Sequence, residues 1–220
     1  TSGLKVADIA SVSKRPENVV GMHYFSPVDK MPLLEIIKTD KTSDETLARA
    51  YDLGLRQGKT IIVTKDVAGF YVNRCLGPYL VEVMACIAEG AFDDVDKAMV
   101  KFGFPMGPLT LGDMVGIDVA AKIVPNLAGE LGARVGGATT GPFDDLLEKG
   151  LLGQKTKKGF FTYDDKLKKG SINPEALEIV KKYVKNTEGK PSVEEIGERC
   201  SSRFALEAAI CVQDGVVESP

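Results

Sequence analysis

The feature that most restricts how these 220 residues can fold is a repeat. Residues 74–90 align with 199–215 at one constant offset of 125. Arg74 falls over Arg199, Cys75 over Cys200, Tyr79 over Phe204, Glu82 over Glu207, Cys86 over Cys211 and Gly90 over Gly215. In the first copy, Val72, Leu76, Tyr79, Leu80, Val83, Met84 and Ile87 make an apolar stripe at helical spacing, and Gly90 reads as the stop. A fold for this chain must therefore house one long helix twice, the second copy reading as truncated soon after its end. The copies also differ. Asn73 becomes Glu198, and Gly77-Pro78, expected to kink or locally break the first helix, becomes Ser202-Arg203. Whatever Asn73 does, the second copy does not do it.

Ahead of this helix, residues 1–65 alternate between strand and helix. KVADIASVSKR is a plausible short helix, VVGMHYF and PLLEIIK read as strands, and Ser26-Pro27 ends the first of them. Thr42 to Glu45 signals the cap of a helix over ETLARAYDLGLRQG, which Gly58 stops, and KTIIVTK is a third strand. This rhythm predicts an α/β layer. A doubly wound nucleotide-binding sheet would carry a Gly-rich phosphate turn after its first strand, and the sequence contains none. If the layer is such a sheet, only its later part is expected here. From residue 66 to 165 the pattern is helical, with Asp118 expected to cap VAAKIVPNLAGEL and KTKKGFFTY expected as a loop and an extended piece. Residues 166–197 read as a polar connector holding one helix, EALEIVKKYV, and 198–220 as the truncated start of the second helical copy.

Composition excludes several classes. A net charge of −3 gives no global basic field for nucleic acid, and no apolar run approaches the roughly 18–20 residues of a membrane span. The N-terminus, TSGLKVADIA, has no signal-peptide architecture and no initiator Met, which suggests a processed or cut chain. The four cysteines, in two pairs each spaced by eleven residues, are too far apart for CxxC zinc ligands, and their apolar neighbours predict buried reduced thiols in a reducing compartment.

The candidate chemistry lies in HYFSPVDKMPLLE, from His23 to Glu35. His23 is the only histidine of the chain, and histidine exchanges protons near neutral pH. A carboxylate that reaches the far ring nitrogen would fix its tautomer, which is the orienting role in a general-base dyad. A lone His beside Tyr24 and Phe25 can equally be a packed or surface histidine, and spacing alone leaves both readings open.

These segments together resemble the 3-hydroxyacyl-CoA dehydrogenase family over the whole chain. The resemblance is carried by HYFSP with MPLLEII, by KDVAGFYVNR, by GFPMGPLTLGDMVGID and by KTKKGFFTY. The second helical copy is typical of the multifunctional members, and the chain is most similar to the α-subunits of trifunctional β-oxidation enzymes of mitochondria. The resemblance implies a remnant of a Rossmann-type NAD-binding domain over 1–65, followed by a mainly α-helical dehydrogenase C-terminal domain. It implies NAD-dependent oxidation of a 3-hydroxyacyl-CoA to a 3-ketoacyl-CoA, with His23 taking the hydroxyl proton and Glu35 holding the imidazole. Ser2 matches a family Ser beside the substrate oxygen and nicotinamide, and Asn73 matches the family Asn that hydrogen-bonds the substrate. Ser26 stands where many relatives carry Asn near the nicotinamide ribose. Lys155 matches a family Lys that approaches the cofactor, although Gln154 precedes it and Lys157 replaces a family Gly. The other lysines of this loop read as a solvated face, and Met106 as core or the lining of an acyl pocket.

The resemblance further implies a parent enzyme that is also an enoyl-CoA hydratase, a thiolase β-subunit as partner, a homodimer as an alternative assembly, and a mitochondrial location at the matrix or inner membrane, or else a peroxisomal one. A reading of another class stands beside the catalytic one. Without the dinucleotide fingerprint, these residues by themselves would be an inactive helical packing and dimerisation fragment.

Overall fold

The structure, a computed structural model, describes residues 4–135, 141–185 and 189–218. It forms two compact units, Thr1–Cys75 with Leu206–Pro220, and Leu76–Ala205.

The first unit is built on a three-stranded sheet in the order β1-β2-β3. Strand β1 (Gly21–Tyr24) pairs antiparallel with β2 (Leu33–Lys38), which pairs parallel with β3 (Thr60–Lys65). The parallel pair needs a crossover, and α2 (Asp44–Arg56) supplies it. Ser43 caps α2, its Oγ accepting the Thr46 amide at 3.2 Å, and Gly58 leaves the helix at φ +71°. Side chains alternate across a strand, so the sheet has two distinct faces. Leu34 and Ile36 pack with Ala50 of α2, joined by Met22, Tyr24, Ile61 and Val63. Ile37 packs on the opposite side with Val6 of α1 (Val6–Ser11) and Phe70. A Cβ on Gly21 would lie 2.7 Å from Val6 Cγ2 and 2.9 Å from Ile37 Cβ, so glycine lets α1 approach. Helix α1 is shorter than its pattern suggests, ending at Ser11, and Pro16 then opens a 3-10 segment, Pro16–Asn18. Asp66 caps α1 from a distance, accepting the Val6 and Ala7 amides at 2.9 and 2.6 Å.

Helix α3 (Val72–Ala88) carries Pro78 inside it without a local break, so of the expected kink or break the break does not occur. The adjoining Gly77 fits tightly: a Cβ there would lie 2.7 Å from Leu127 Cδ1. The second unit continues with α4 (Val95–Phe102), α5 (Pro108–Val115), α6 (Ile117–Leu131) and α7 (Pro142–Glu148). A hairpin of β4 (Phe161–Tyr163) and β5 (Lys169–Ile172) follows, then α8 (Pro174–Lys181) and α9 (Val193–Gln213). The stretch expected as a polar connector carries β5 and α8, and Ala176, Ile179 and Val180 of α8 are buried in the unit's core with Val83, Ile87, Met99 and Phe160. Helix α9 begins ahead of the repeat signature, at Val193.

The repeat is visible in the packing. Arg74 pairs with Glu207 at 2.7 Å and with Asp214 at 2.5 Å. Its counterpart Arg199 pairs with Glu82 at 2.8 Å and, through two parallel bonds of 2.7 and 2.8 Å, with Glu89. Each arginine thus takes the equivalent acids of the other copy. All four cysteines are buried free thiols, with Cys75 beside Cys211 and Cys86 beside Cys200 in the same reciprocal manner. Tyr79 meets its equivalent Phe204 edge-on at 6.3 Å.

Candidate active site

Strand register brings the proposed dyad together. In the β1–β2 pairing His23 stands directly opposite Glu35, which is why twelve residues of separation in sequence end as a contact. Both project from the face that carries Ile37, Val6 and Phe70. His23 Nδ1 lies 2.5 Å from Glu35 Oε2. The imidazole is 6% exposed and the carboxylate 0%. The Phe25 ring centroid lies 4.7 Å and the Phe70 centroid 5.5 Å from that of His23, both rings tilted against it.

The second carboxylate oxygen does different work. Glu35 Oε1 accepts the Tyr71 amide at 3.0 Å and the Val72 amide at 2.9 Å. Val72 is the first residue of α3, so the acid meets two of the amides that a helix start cannot satisfy internally, at the positive end of its dipole. An ionised Glu35 can only accept, so its Oε2 takes this hydrogen bond from Nδ1–H, and in the neutral ring Nε2 is then the nitrogen without a proton. The approach to α3 is unusual. Gly69 has φ +71°, and Phe70 has φ +53°, a left-handed conformation that a bulky residue rarely holds.

The other expected residues fall as follows. Ser2 lies outside the described residues. Ser26 is exposed in the turn after β1, where its bond to Pro27 is cis. Asn73 is half-buried as the second residue of α3, directly after the two amides that hold Glu35. In the helical unit, Lys155 is exposed on a short 3-10 turn, Gln154–Thr156, and its Nζ lies 2.6 Å from Asp118 Oδ1. Asp118 is therefore not the cap of α6. Gly116 occupies that position, and Asp118 sits in the first turn with its carboxyl held below the usual range by Lys155. Gly116, at φ +100°, makes room: a Cβ there would lie 2.5 Å from the Lys155 Nζ.

The helical unit's remaining matched segments are structural. Asp113, fully buried, accepts the Phe160 and Phe161 amides at 2.9 Å each and the Tyr163 hydroxyl at 3.0 Å. Burial raises its carboxyl above the ordinary aspartate value, against the opposing pull of those bonds. The lysine-rich loop is compensated by acids, with Lys157 on Asp165, Lys158 on Glu175 and Lys169 on Asp96. Among the described residues no group of three or more His, Cys, Asp or Glu is arranged to hold a metal.

Sequence reasoning missed the Tyr71 and Val72 amides and the ring of Phe70, since main-chain donors leave no residue signature. The Gly-Phe pair inside KDVAGFYVNR was the one available hint of a special turn.

Comparison with known proteins agrees with these features. Residues 1–67 match the family model described as 3-hydroxyacyl-CoA dehydrogenase, NAD binding domain, and residues 69–163 match its C-terminal domain. The chain is 48% identical over 222 residues to the fatty acid oxidation complex subunit alpha of Vibrio vulnificus, covering 100% of this chain and 30% of that protein. It is also 48% identical to the subunit of that name from Shewanella amazonensis, over 100% of this chain and 31% of the relative. It therefore spans about 30% of the length of these relatives. Among solved structures, the dehydrogenase part of multifunctional enzyme 1 from C. elegans superposes with a TM-score of 0.69 at 28% identity, covering 100% of this chain and 50% of that one. The expected mitochondrial or peroxisomal location is overturned, because the relatives at 48% identity are bacterial, from cells with neither organelle.

Proposed function

The chain belongs to the 3-hydroxyacyl-CoA dehydrogenase family, and from that premise we propose that it supplies the proton-transfer half of the oxidation of a 3-hydroxyacyl-CoA to a 3-ketoacyl-CoA. The observation that carries the reading is the His23–Glu35 contact, with the second carboxylate oxygen fixed by two amides. With Nδ1 committed to Glu35, Nε2 is the acceptor for the proton of the substrate's 3-hydroxyl group. Glu35 balances the charge the ring then carries, and in the reverse reaction the ring returns the proton to the 3-keto oxygen. Asn73, and Ser2 from the N-terminal segment, are the proposed donors to that oxygen. Ser26 and Lys155 are the proposed contacts to the cofactor.

The family's cofactor is NAD, whose nicotinamide accepts a hydride in this oxidation. The residues present fit only one side of it. The crossover from β2 through α2 to β3 is a nucleotide-domain element, but the sequence has no Gly-x-Gly-x-x-Gly turn to receive a pyrophosphate on a helix start. The chain's own residues hold and move the proton, and no step is assigned to them beyond that. We propose that the whole enzyme is multifunctional, with hydratase activity and a thiolase subunit or a second copy as partner. That relatives are named as alpha subunits of a fatty acid oxidation complex supports an assembly of more than one subunit.

Replacing His23 by Ala in the enzyme that carries this chain tests the reading. Acetoacetyl-CoA reduction should fall on the order of 10²–10⁴-fold, the usual contribution of a general acid-base group, with little change in KM. Turnover within a few-fold of the parent would reject the assignment.

A further inference from the structure

Glu35 is bonded to two places at once, and the second has no part in orienting histidine. Oε2 meets the His23 ring, while Oε1 collects the amides of Tyr71 and Val72 at the start of α3. Asn73 follows Val72 by a single peptide link. The backbone that carries Asn73 is therefore tied, through one buried side chain, to the ring that takes the proton. We propose that Glu35 acts as a fork setting the separation of His23 and Asn73, and that the Gly69–Phe70 turn is the positioning element that makes the fork possible. The assignment of work to the two residues rests on the function proposed above; the fork itself does not.

Three observations carry the inference. The carboxylate is fully buried, so its lone pairs must be met by protein groups, and the three bonds observed meet them. The two amides that converge on one oxygen belong to the residues directly after Phe70, which holds φ +53°. A bulky residue keeps such a conformation where its surroundings over-determine it. Phe70 is fixed by packing with Val6 and Ile37 and by its ring against His23, and it directly precedes the two amides of the other arm.

The two arms separate by substitution. In Glu35→Gln the side-chain oxygen still accepts the two amides, but the NH2 group now faces Nδ1 and favours the wrong tautomer. The expected outcome is a loss of kcat on the order of 10³–10⁴-fold, as when a triad carboxylate becomes an amide, with KM for acetoacetyl-CoA held within a few-fold. Glu35→Ala removes both arms, so KM should also rise by about tenfold, and amide exchange at Tyr71 and Val72 should accelerate by about tenfold or more while remaining slow in the Gln variant. Val72→Pro is the complementary probe. It deletes one donor at the first helical position, where proline is well tolerated, and leaves His23 and Glu35 in place. Its kcat should fall by about tenfold, the effect of one lost hydrogen bond. Equal KM and equal exchange at Tyr71 and Val72 in the Gln and Ala variants would overturn the fork, and so would an unchanged kcat in a folded Val72→Pro enzyme. Should Glu35→Ala fail to fold, the decision passes to Val72→Pro and to the exchange rates of the Gln variant, which must stay slow. The exchange arm needs no turnover, so loss of the functional reading and loss of the fork are told apart.

Discussion

At the scale of the residue, burial decides which charges matter. His23 and Glu35 face each other because they are register partners, and the sequence spacing alone left that contact open. The acid is tolerated in a buried strand because all its contacts are strong acceptor interactions. Asp113 follows the same rule without any cation. Asp113→Ala should destabilise the helical unit by about 3 kcal/mol or more, since three donors lose their acceptor, and thermal unfolding checks it. His23 and Glu35 drew attention as a lone histidine and a carboxylate in an apolar strand, while the roles proposed for them and for Asn73 come from the matched segments. Asp118 was misread as a cap because a pattern of Asp before an apolar run does not disclose that Gly116, at positive φ, begins the helix. Its carboxyl instead serves Lys155.

At the scale of the element, the duplicated helix explains pairings that no single copy would predict. Arg74 and Glu207 are both almost wholly buried, whereas Arg199 and Glu89 remain partly in water. Arg74→Ala should therefore cost about 3–5 kcal/mol by removing the cation of a buried pair, while Arg199→Ala should cost about 1 kcal/mol, a difference read from denaturant unfolding. Glu89 is held below its ordinary carboxyl value by its hydrogen bonds to Arg199. Its stabilising contribution is thus present above pH about 4.5 and is lost as the pH falls through the lowered value. Unfolding measured between neutral and acid pH should lose part of that slope in Glu89→Gln. The repeat was legible from identities at one offset, as was each helix with a clean apolar stripe. The burial of α8 was not, because a charged, half-apolar helix is the pattern of a connector and of an amphipathic core element alike.

At the scale of the whole molecule, the family was legible from ordered segments, and the bacterial origin of its relatives was not, since catalytic segments carry no mark of compartment. The missing phosphate turn bears on what these 220 residues do unaided. NADH fluorescence titration of the chain should give binding weaker than micromolar, and micromolar affinity would contradict the partition of the site into a proton half and a dinucleotide half. The proton half admits a more direct test. His23 is the only histidine of the chain, so its ring ¹⁵N signals are unambiguous. The account predicts a single tautomer, protonated at Nδ1 and hydrogen-bonded to Glu35, with no proton on Nε2. A ring protonated at Nε2 at neutral pH, with Nδ1 bare, would contradict it.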